Sequence, residues 1–203
     1  MRLSSNLAAG SFCVLAALTS STAQAAAPGA WSVGIERVFG FSRATTKTEL
    51  NGNTSTNTSS QVSLFDHTLD SQPGYPGARV ALDYLFPSGV SLGGAIGYQS
   101  VDPDDDDDGD SVSAWLLEPR VGYFASVTAN FGVWPRGGLT YVSIDDGPSF
   151  TAISVELPLE LRIGGNVCFA VMPYVDLGVA GGTDTVDQKI TEFGLQFGMN
   201  AFF

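Results

Sequence analysis

The end of the chain alternates between apolar and polar or small side chains. Two interleaved sets run through it: Phe193, Leu195, Phe197, Met199, Ala201 and Phe203 against Glu192, Gly194, Gln196, Gly198 and Asn200. Period-2 alternation puts the two sets on opposite faces of a β-strand. An exposed strand with an aromatic face invites aggregation in water. A closed barrel in lipid pairs both strand edges and turns the apolar face toward acyl chains. The pattern therefore favours a transmembrane β-barrel.

Eight segments of the chain show such alternation. They span 30–42, 75–86, 90–101, 112–125, 131–144, 149–163, 167–180 and 189–203. Tight turns such as 87–89 and 164–166 alternate with longer connections such as 43–74 and 102–111. Short turns in the periplasm and long loops outside are the asymmetry of outer-membrane barrels. The predicted fold class is all-β: an eight-stranded antiparallel up-and-down transmembrane β-barrel.

The two faces of the predicted strands differ in composition. The alternate positions that form one face are apolar, with aromatic residues near both strand ends, as expected where a barrel crosses both lipid interfaces. The other face is rich in Gly and Ala and carries these charges: Glu36, Arg79, Asp83, Glu118, Arg120, Arg136, Glu156, Glu160, Arg162, Asp176 and Glu192. A soluble lipocalin-like barrel would instead turn its apolar side inward. We therefore expect the charges to line the lumen, where they must pair. They form either a polar plug or a gated ion path.

The first 25 residues have the pattern of a secretory signal peptide. Arg2 precedes an apolar run, and Ala23-Gln24-Ala25 fits a cleavage site. We expect a mature barrel domain of residues 26–203. Without Arg2 it holds eight Lys and Arg against 21 Asp and Glu, a net charge of −13, which argues against nucleic-acid binding. Cys168 would be its one cysteine, so an intramolecular disulfide is excluded.

The signal pattern, the alternating strands and the terminal Phe203 together resemble the small eight-stranded outer-membrane barrels, such as the OmpA membrane domain and OmpX. The resemblance spans Trp31 to Phe203. It implies location in the bacterial outer membrane, a monomer surrounded by membrane lipids, and recognition of Phe203 by the outer-membrane assembly machinery. It does not extend to the peptidoglycan-binding domain of full-length OmpA, so anchoring to the cell wall is not carried over.

An aspartate run is the sharpest local motif. Asp makes up seven of the nine residues in 102–110. Asp104, Asp106 and Asp108 match the opening of the D-x-D-x-D-G calcium loop, but Trp115 stands where the bidentate Glu is expected. We expect either weak calcium binding or only a solvated acidic loop. No other cofactor is expected.

Two further features bear on function. His67, the one histidine, lies in the Thr-, Ser- and Asn-rich segment 43–74, which we expect to be a mobile surface loop rather than a rigid site for a His–Ser pair. Four prolines fall inside predicted strands: Pro119, Pro135, Pro158 and Pro173. They indicate either bulges that curve the wall or a weakened seam through which an apolar ligand enters sideways.

Three functions remain open at this point. The favoured one is a non-enzymatic outer-membrane barrel with acidic extracellular loops and a structural or surface-interaction role. The alternative is a narrow channel or a lateral-entry transporter for small or apolar solutes, as in OmpW-like proteins. A lipid-modifying enzyme is disfavoured, because no convincing set of catalytic residues is found, and we expect the protein not to be an enzyme.

Overall fold

The computed structural model describes residues 29–50, 52–64, 67–68, 78–101, 112–145, 147–183 and 186–203. The predicted signal peptide and the aspartate run lie outside these ranges. The strands within them are β1 Ala30–Leu50, β2 Asn53–Leu64, β3 His67–Thr68, β4 Arg79–Leu85, β5 Val90–Val101, β6 Val112–Tyr123, β7 Ala125–Thr128, β8 Phe131–Val133, β9 Arg136–Ile144, β10 Ser149–Glu156, β11 Leu159–Gly164, β12 Val167–Thr183 and β13 Val186–Phe202. The described part of the chain contains no helix long and apolar enough to cross a membrane.

Antiparallel pairing runs around a closed ring of eight barrel strands, which confirms the predicted fold. The first four barrel strands are, in order, β1, β4, β5 and β6. The fifth barrel strand consists of β8 and β9, and the sixth consists of β10 and β11. The seventh is β12, and the eighth, β13, pairs with β1 to close the ring. At the closing seam, Trp31 N donates to Phe203 O at 3.1 Å and Phe203 N donates to Trp31 O at 2.8 Å. The tight turns lie at this end of the barrel. By the asymmetry of such barrels it is the periplasmic end.

Prolines interrupt two neighbouring barrel strands at one height. Pro135 separates β8 from β9, and Pro158 separates β10 from β11. The carbonyls of Pro135, Pro158 and Pro173 accept backbone N–H groups at 2.9 Å, from Tyr123, Trp134 and Leu157 respectively. Because proline has no N–H, the return bond of each pair cannot form. Three adjacent seams of the wall therefore each lack one ladder bond, while the register of pairing is the same above and below the gap.

Segment 43–64 corrects the sequence analysis, which expected a mobile loop there. β1 continues to Leu50, the chain turns at Gly52 with φ +79, and β2 pairs with β1 from Leu50↔Asn53 to Phe39↔Leu64. His67 likewise lies in a short strand, paired with Leu64. Both faces of this hairpin are polar, so it lacks the alternation used to find the other strands, but its threonines are good strand formers.

The hairpin belongs to a sheet that rises above the barrel. β1 pairs with β13 as far as Glu49↔Asp187, and β13 pairs with β12 as far as Val186↔Thr183. We call residues 43–50, 53–60 and 186–192 the extracellular extension. Because its strands continue out of the membrane wall without a break, the extension is held by the barrel itself.

The outer face of the barrel is apolar, as predicted. Aromatic side chains point outward near both ends, among them Trp31, Tyr123 and Phe203 at the periplasmic end and Phe41 and Trp115 at the other, all about half exposed. On β13 the outward row from Phe203 to Phe193 is ten steps long. At about 3.3 Å per residue and a tilt of about 40°, such a row spans roughly 25 Å, the height of the apolar band of an outer-membrane barrel.

Candidate functional site

Charged side chains fill the middle of the lumen. The members of this group, which we call the arginine–carboxylate belt, are Glu36, Arg37, Arg79, Asp83, Glu118, Arg120, Arg136, Glu156 and Asp176. Each is 3% exposed or less. Apart from Arg37, the sequence analysis assigned all of them to the lumen. Four arginines face five carboxylates, and every belt residue takes part in at least one ion pair.

Arg120 lies at the centre of the belt. Its Nη1 and Nη2 donate to the two oxygens of Glu36 at 2.7 and 3.0 Å, and its Nε and Nη2 donate to Asp83 at 3.0 and 2.5 Å. Arg136 then joins Glu36 to Glu156, with both N···O distances at 2.7 Å. Forked arginine–carboxylate bonds of this kind fix orientation as well as charge. The belt is therefore a connected network that ties β1, β4, β6, β9 and β10 together across the lumen.

Small residues make room for these side chains. Gly93 lies between the strands that carry Asp83 and Arg120. A Cβ built on Gly93 would lie 2.4 Å from Asp83 Oδ1 and 2.3 Å from Leu82 O. A Cβ on Gly138 would lie 3.0 Å from Arg120 Cβ. The glycines at lumen-facing positions thus leave the space that the long charged side chains occupy.

Arg37 is the belt residue that the sequence analysis missed. Its position in the alternation places it among the lipid-facing residues, but β1 bulges between Ile35 and Phe39, where three residues stand against one on β13. Arg37 adopts φ 56, a left-handed conformation. Its guanidinium turns inward, donates to Asp176 at 3.0 Å and to Glu156 at 2.8 Å, and lies 4.0 Å from the ring centre of Tyr174. In the sequence, the one indication that Arg37 turns inward was that a charged residue stands in a row of apolar residues.

Three of the predicted lumen residues stand outside the belt. Glu160 is buried and accepts a hydrogen bond from Asn200 at 2.7 Å, while its other oxygen has no partner among the described residues. Glu192 is buried and accepts from the Tyr174 hydroxyl. Arg162 lies apart from the belt. It is half-buried near the periplasmic turn, where it donates to Gly165 O at 2.9 Å. Arg162 lies near the end of β11, too far along the strand to reach the belt.

Aromatic residues close the lumen below the belt. A buried cluster fills the periplasmic end: Leu85, Phe124, Trp134, Cys168 and Phe202. The ring centres of Phe124, Trp134 and Phe202 lie 5.8–6.1 Å apart. Trp134 donates from Nε1 to Ser91 Oγ at 2.8 Å, and the Arg136 guanidinium lies 4.9 Å from its ring centre. We call this cluster the aromatic floor. It contacts the belt through the Arg136 guanidinium and the Trp134 ring.

A second apolar cluster lies above the belt. It contains Ala114, Leu116, Val142, Ile144 and Phe150, with Ile190 packed against it. Between it and the belt, Thr140 and Ser154 share a hydrogen bond at 2.5 Å. The interior is therefore layered: aromatic floor, charged belt, apolar upper cluster. Little of the belt is therefore accessible to water. An open aqueous pore would leave these charges solvated.

A shallow groove lies in the lipid-facing wall over β4, β5 and β6. Its volume is about 750 Å³, and apolar residues such as Leu82, Leu92 and Leu117 line it. It forms where Gly94 has no side chain opposite Pro119. The groove lies on the outer, apolar face of the barrel wall.

Asp104, Asp106 and Asp108 lie outside the described residues, so the calcium hypothesis stays a prediction. Within the described ranges, no group of three or more His, Cys, Asp or Glu side chains is arranged to hold a metal ion. The assembly role assigned to Phe203 also stays a prediction, although its backbone pairs with Trp31 at the closing seam.

A closed eight-stranded barrel with an apolar exterior and a filled polar interior defines the class of small bacterial outer-membrane β-barrels. These features indicate the outer membrane as the location of the protein.

Some solved structures are similar to this chain. Outer membrane protein AlkL, solved in DMPC lipid bilayers, superposes with a TM-score of 0.50 at 13% identity, covering 91% of this chain and 93% of AlkL. Neisserial surface protein A gives 0.48 at 11% identity, covering 86% of this chain and 99% of that one. OprG of Pseudomonas aeruginosa gives 0.48 at 12% identity, covering 87% and 96%. No protein-family model and no curated protein matches the sequence. At these identities the likeness concerns the fold.

Proposed function

We propose that the protein is a non-enzymatic, non-conducting outer-membrane barrel whose role is structural or a surface interaction at its extracellular end. The observation that supports this most directly is the layered, filled lumen beneath a protruding sheet. A conducting barrel needs water or solute to pass its charged residues, and here those residues are buried and paired. A barrel that displays a surface needs a rigid scaffold instead.

The extension is built for display. β1 and β13 pair without interruption from Phe39↔Phe197, within the membrane wall, to Glu49↔Asp187, so the hairpin of β1 and β2 is held by the strands of the wall. The side chains of β2 from Asn53 to Ser60 are exposed, which leaves them free for a partner. β5 ends at Val101 and β6 begins at Val112 at the same end of the barrel, and the acidic segment 102–110 lies between them in the sequence. We propose that these elements together form the interacting surface.

Planar-bilayer recording tests the non-conducting part of the proposal. Folded wild-type protein should give no discrete conductance steps. As a control, an Arg120→Ala, Arg136→Ala double variant opens the belt and should give steps if the lumen can conduct at all. Stable steps from the wild-type protein would contradict the proposal.

A hairpin deletion tests the display part. Replacing residues 44–59 by a two-residue Asn-Gly turn keeps the Arg43↔Ser60 pairing and leaves the belt and the aromatic floor untouched. The shortened barrel should therefore still fold and remain heat-modifiable on a gel. Cells carrying it should lose the surface binding or the envelope integrity that the wild-type protein confers. If the shortened barrel restores both in a deletion strain, the extension is not the functional element.

The second candidate is lateral entry of an apolar solute. The row of prolines supports it, because three adjacent seams each lack a ladder bond. Trp134 of the aromatic floor is paired with Pro158 across one of these seams and points its side chain into the lumen. A solute that enters there must displace that side chain. Transfer of an apolar dye into proteoliposomes distinguishes the two candidates. Transfer faster than into protein-free vesicles, and faster again in Trp134→Ala, would favour lateral entry over display.

A further inference from the structure

The basic residues of the barrel are divided between its interior and one outer patch. Of the eight Lys and Arg after residue 25, four belong to the belt and Arg162 lies near the periplasmic turn. The other three, Arg43, Lys47 and Lys189, are exposed and all lie in the extracellular extension. Every free cation at the extracellular end of this acidic chain is therefore in one place.

The three cations share one face of the sheet. Arg43 lies opposite Phe193, and Lys47 lies opposite Lys189 on the same strand pair. Because alternate residues of a strand share a face, Arg43 and Lys47 continue the outward row that begins with the lipid-facing Phe41. The patch therefore faces the same way as the apolar band, toward the surrounding membrane.

The height of the patch matches the headgroup layer. Phe41 and Phe193, each 51% exposed, mark the top of the apolar band. Arg43 lies level with Phe193, and the lysine pair lies four residues further along the strand. With the tilt of barrel strands, four residues correspond to roughly 10 Å of height. Each polar layer of a bilayer adds about 5–7 Å to its hydrocarbon core, so the cations lie within and just above the outer-leaflet headgroups.

On this face of the extension the three cations outnumber the two acids, Glu49 and Asp187. Like charges directly opposite on antiparallel strands destabilise the pair, and Lys47 faces Lys189. Glu49 and Asp187 lie one step further from the membrane. Within the described residues, all ion pairs shorter than 4.0 Å lie in the lumen, so neither acid forms a direct ion pair with the lysines. An anion between the two lysines would remove their repulsion.

We propose that Arg43, Lys47 and Lys189 bind the phosphate groups of an acylated glycolipid of the outer leaflet. Cations recognise phosphate through strong charge-assisted bonds, and the acyl chains of the same lipid lie against Phe41 and Phe193 below. A protein with a strongly negative charge holds its anionic neighbours at this patch. The proposal rests on the outward orientation of the extension, and it holds whether or not the lumen conducts.

Lipid titration tests the site. The probe is bisphosphorylated lipid A added to detergent-folded protein, with binding followed by native mass spectrometry. Removing three basic residues near an anionic surface should weaken binding about 100-fold, so we expect that loss for Arg43→Gln, Lys47→Gln, Lys189→Gln. The control variant Glu49→Gln, Asp187→Asn changes the same sheet face and should bind as tightly as wild type or more tightly. The thermal midpoint without lipid, measured for each variant, shows that the barrels are folded.

Two further probes identify the source of the phosphate. Dephosphorylated lipid A should bind no better to wild type than to the triple variant. Glucosamine 1,6-bisphosphate, which has the phosphates but no acyl chains, should bind far more weakly than lipid A. Equal binding of lipid A to wild type and the triple variant overturns the proposal. Equal binding of the soluble bisphosphate and lipid A also overturns it, because the patch would then be a general anion site.

Discussion

Arg37 offers the sharpest test of the lumen. Changing it to Met removes the donors that lie 3.0 Å from Asp176 and 2.8 Å from Glu156. Glu156 keeps Arg136 at 2.7 Å, but the nearest cation left for Asp176 is Arg79 at 3.9 Å. One fully buried carboxylate thus loses its hydrogen bonds, and breaking a buried pair from one side costs about 3–5 kcal/mol. We therefore expect the free energy of unfolding to fall by that amount.

Two companion variants separate charge from backbone strain. Arg37→Gly removes the same charge but relieves the left-handed φ of 56, which costs a non-glycine residue about 1–2 kcal/mol. It should be more stable than Arg37→Met by that margin. Adding Asp176→Asn to Arg37→Met should recover part of the loss, because the stranded charge is then gone. Reversible urea unfolding in phospholipid vesicles, followed by tryptophan fluorescence, measures all four proteins. A loss below about 1 kcal/mol for Arg37→Met would mean that water solvates the belt.

Three further predictions concern a lumen glycine, the terminal Phe203 and the aspartate run. Gly93→Ala should destabilise the barrel by about 1–3 kcal/mol, because its Cβ would lie 2.4 Å from Asp83 Oδ1. Gly137→Ala, whose nearest atom is 3.8 Å away, should change the urea midpoint little, and equal effects would refute the steric reasoning. Deleting Phe203 should lower outer-membrane levels and leave unfolded periplasmic chain, as seen by cell fractionation. Calcium should raise the thermal midpoint weakly, and not in a variant with three aspartates of 102–110 changed to Asn.

The alternation of side chains predicts most of the barrel. Wherever one face of a strand meets lipid and the other meets the lumen, the two environments impose opposite compositions, and the segments and their facing residues follow. The alternation of side chains is missing from the extension. Both faces of the hairpin formed by β1 and β2 meet water, so neither face selects apolar residues, and the sequence resembles that of a loop.

The pairing of the belt was less predictable than its membership. Arg37 was not predicted to face the lumen, because the bulge is not visible in the alternation of the sequence. A bulge with two extra residues leaves the inward and outward positions after it unchanged, so Phe39 and Phe41 still face outward. Parity also fails to show which partner an arginine reaches. Arg120 bonds Glu36 and Asp83, while the neighbouring Glu118 pairs with Arg79. Partners across a lumen depend on the closure of the ring, which no local pattern encodes.

The belt also has a consequence for the order of assembly. Arg37 on β1 reaches acids that are 119 and 139 residues away along the chain, so its charge is unmatched until β1 has met β13. An open sheet moved into hydrocarbon would expose both unpaired edges and unpaired charges, and each costs several kcal/mol. Partly closed intermediates inside the membrane are therefore disfavoured. We expect insertion and ring closure to occur as one cooperative, slow step, with contacts between the ends of the chain setting its rate.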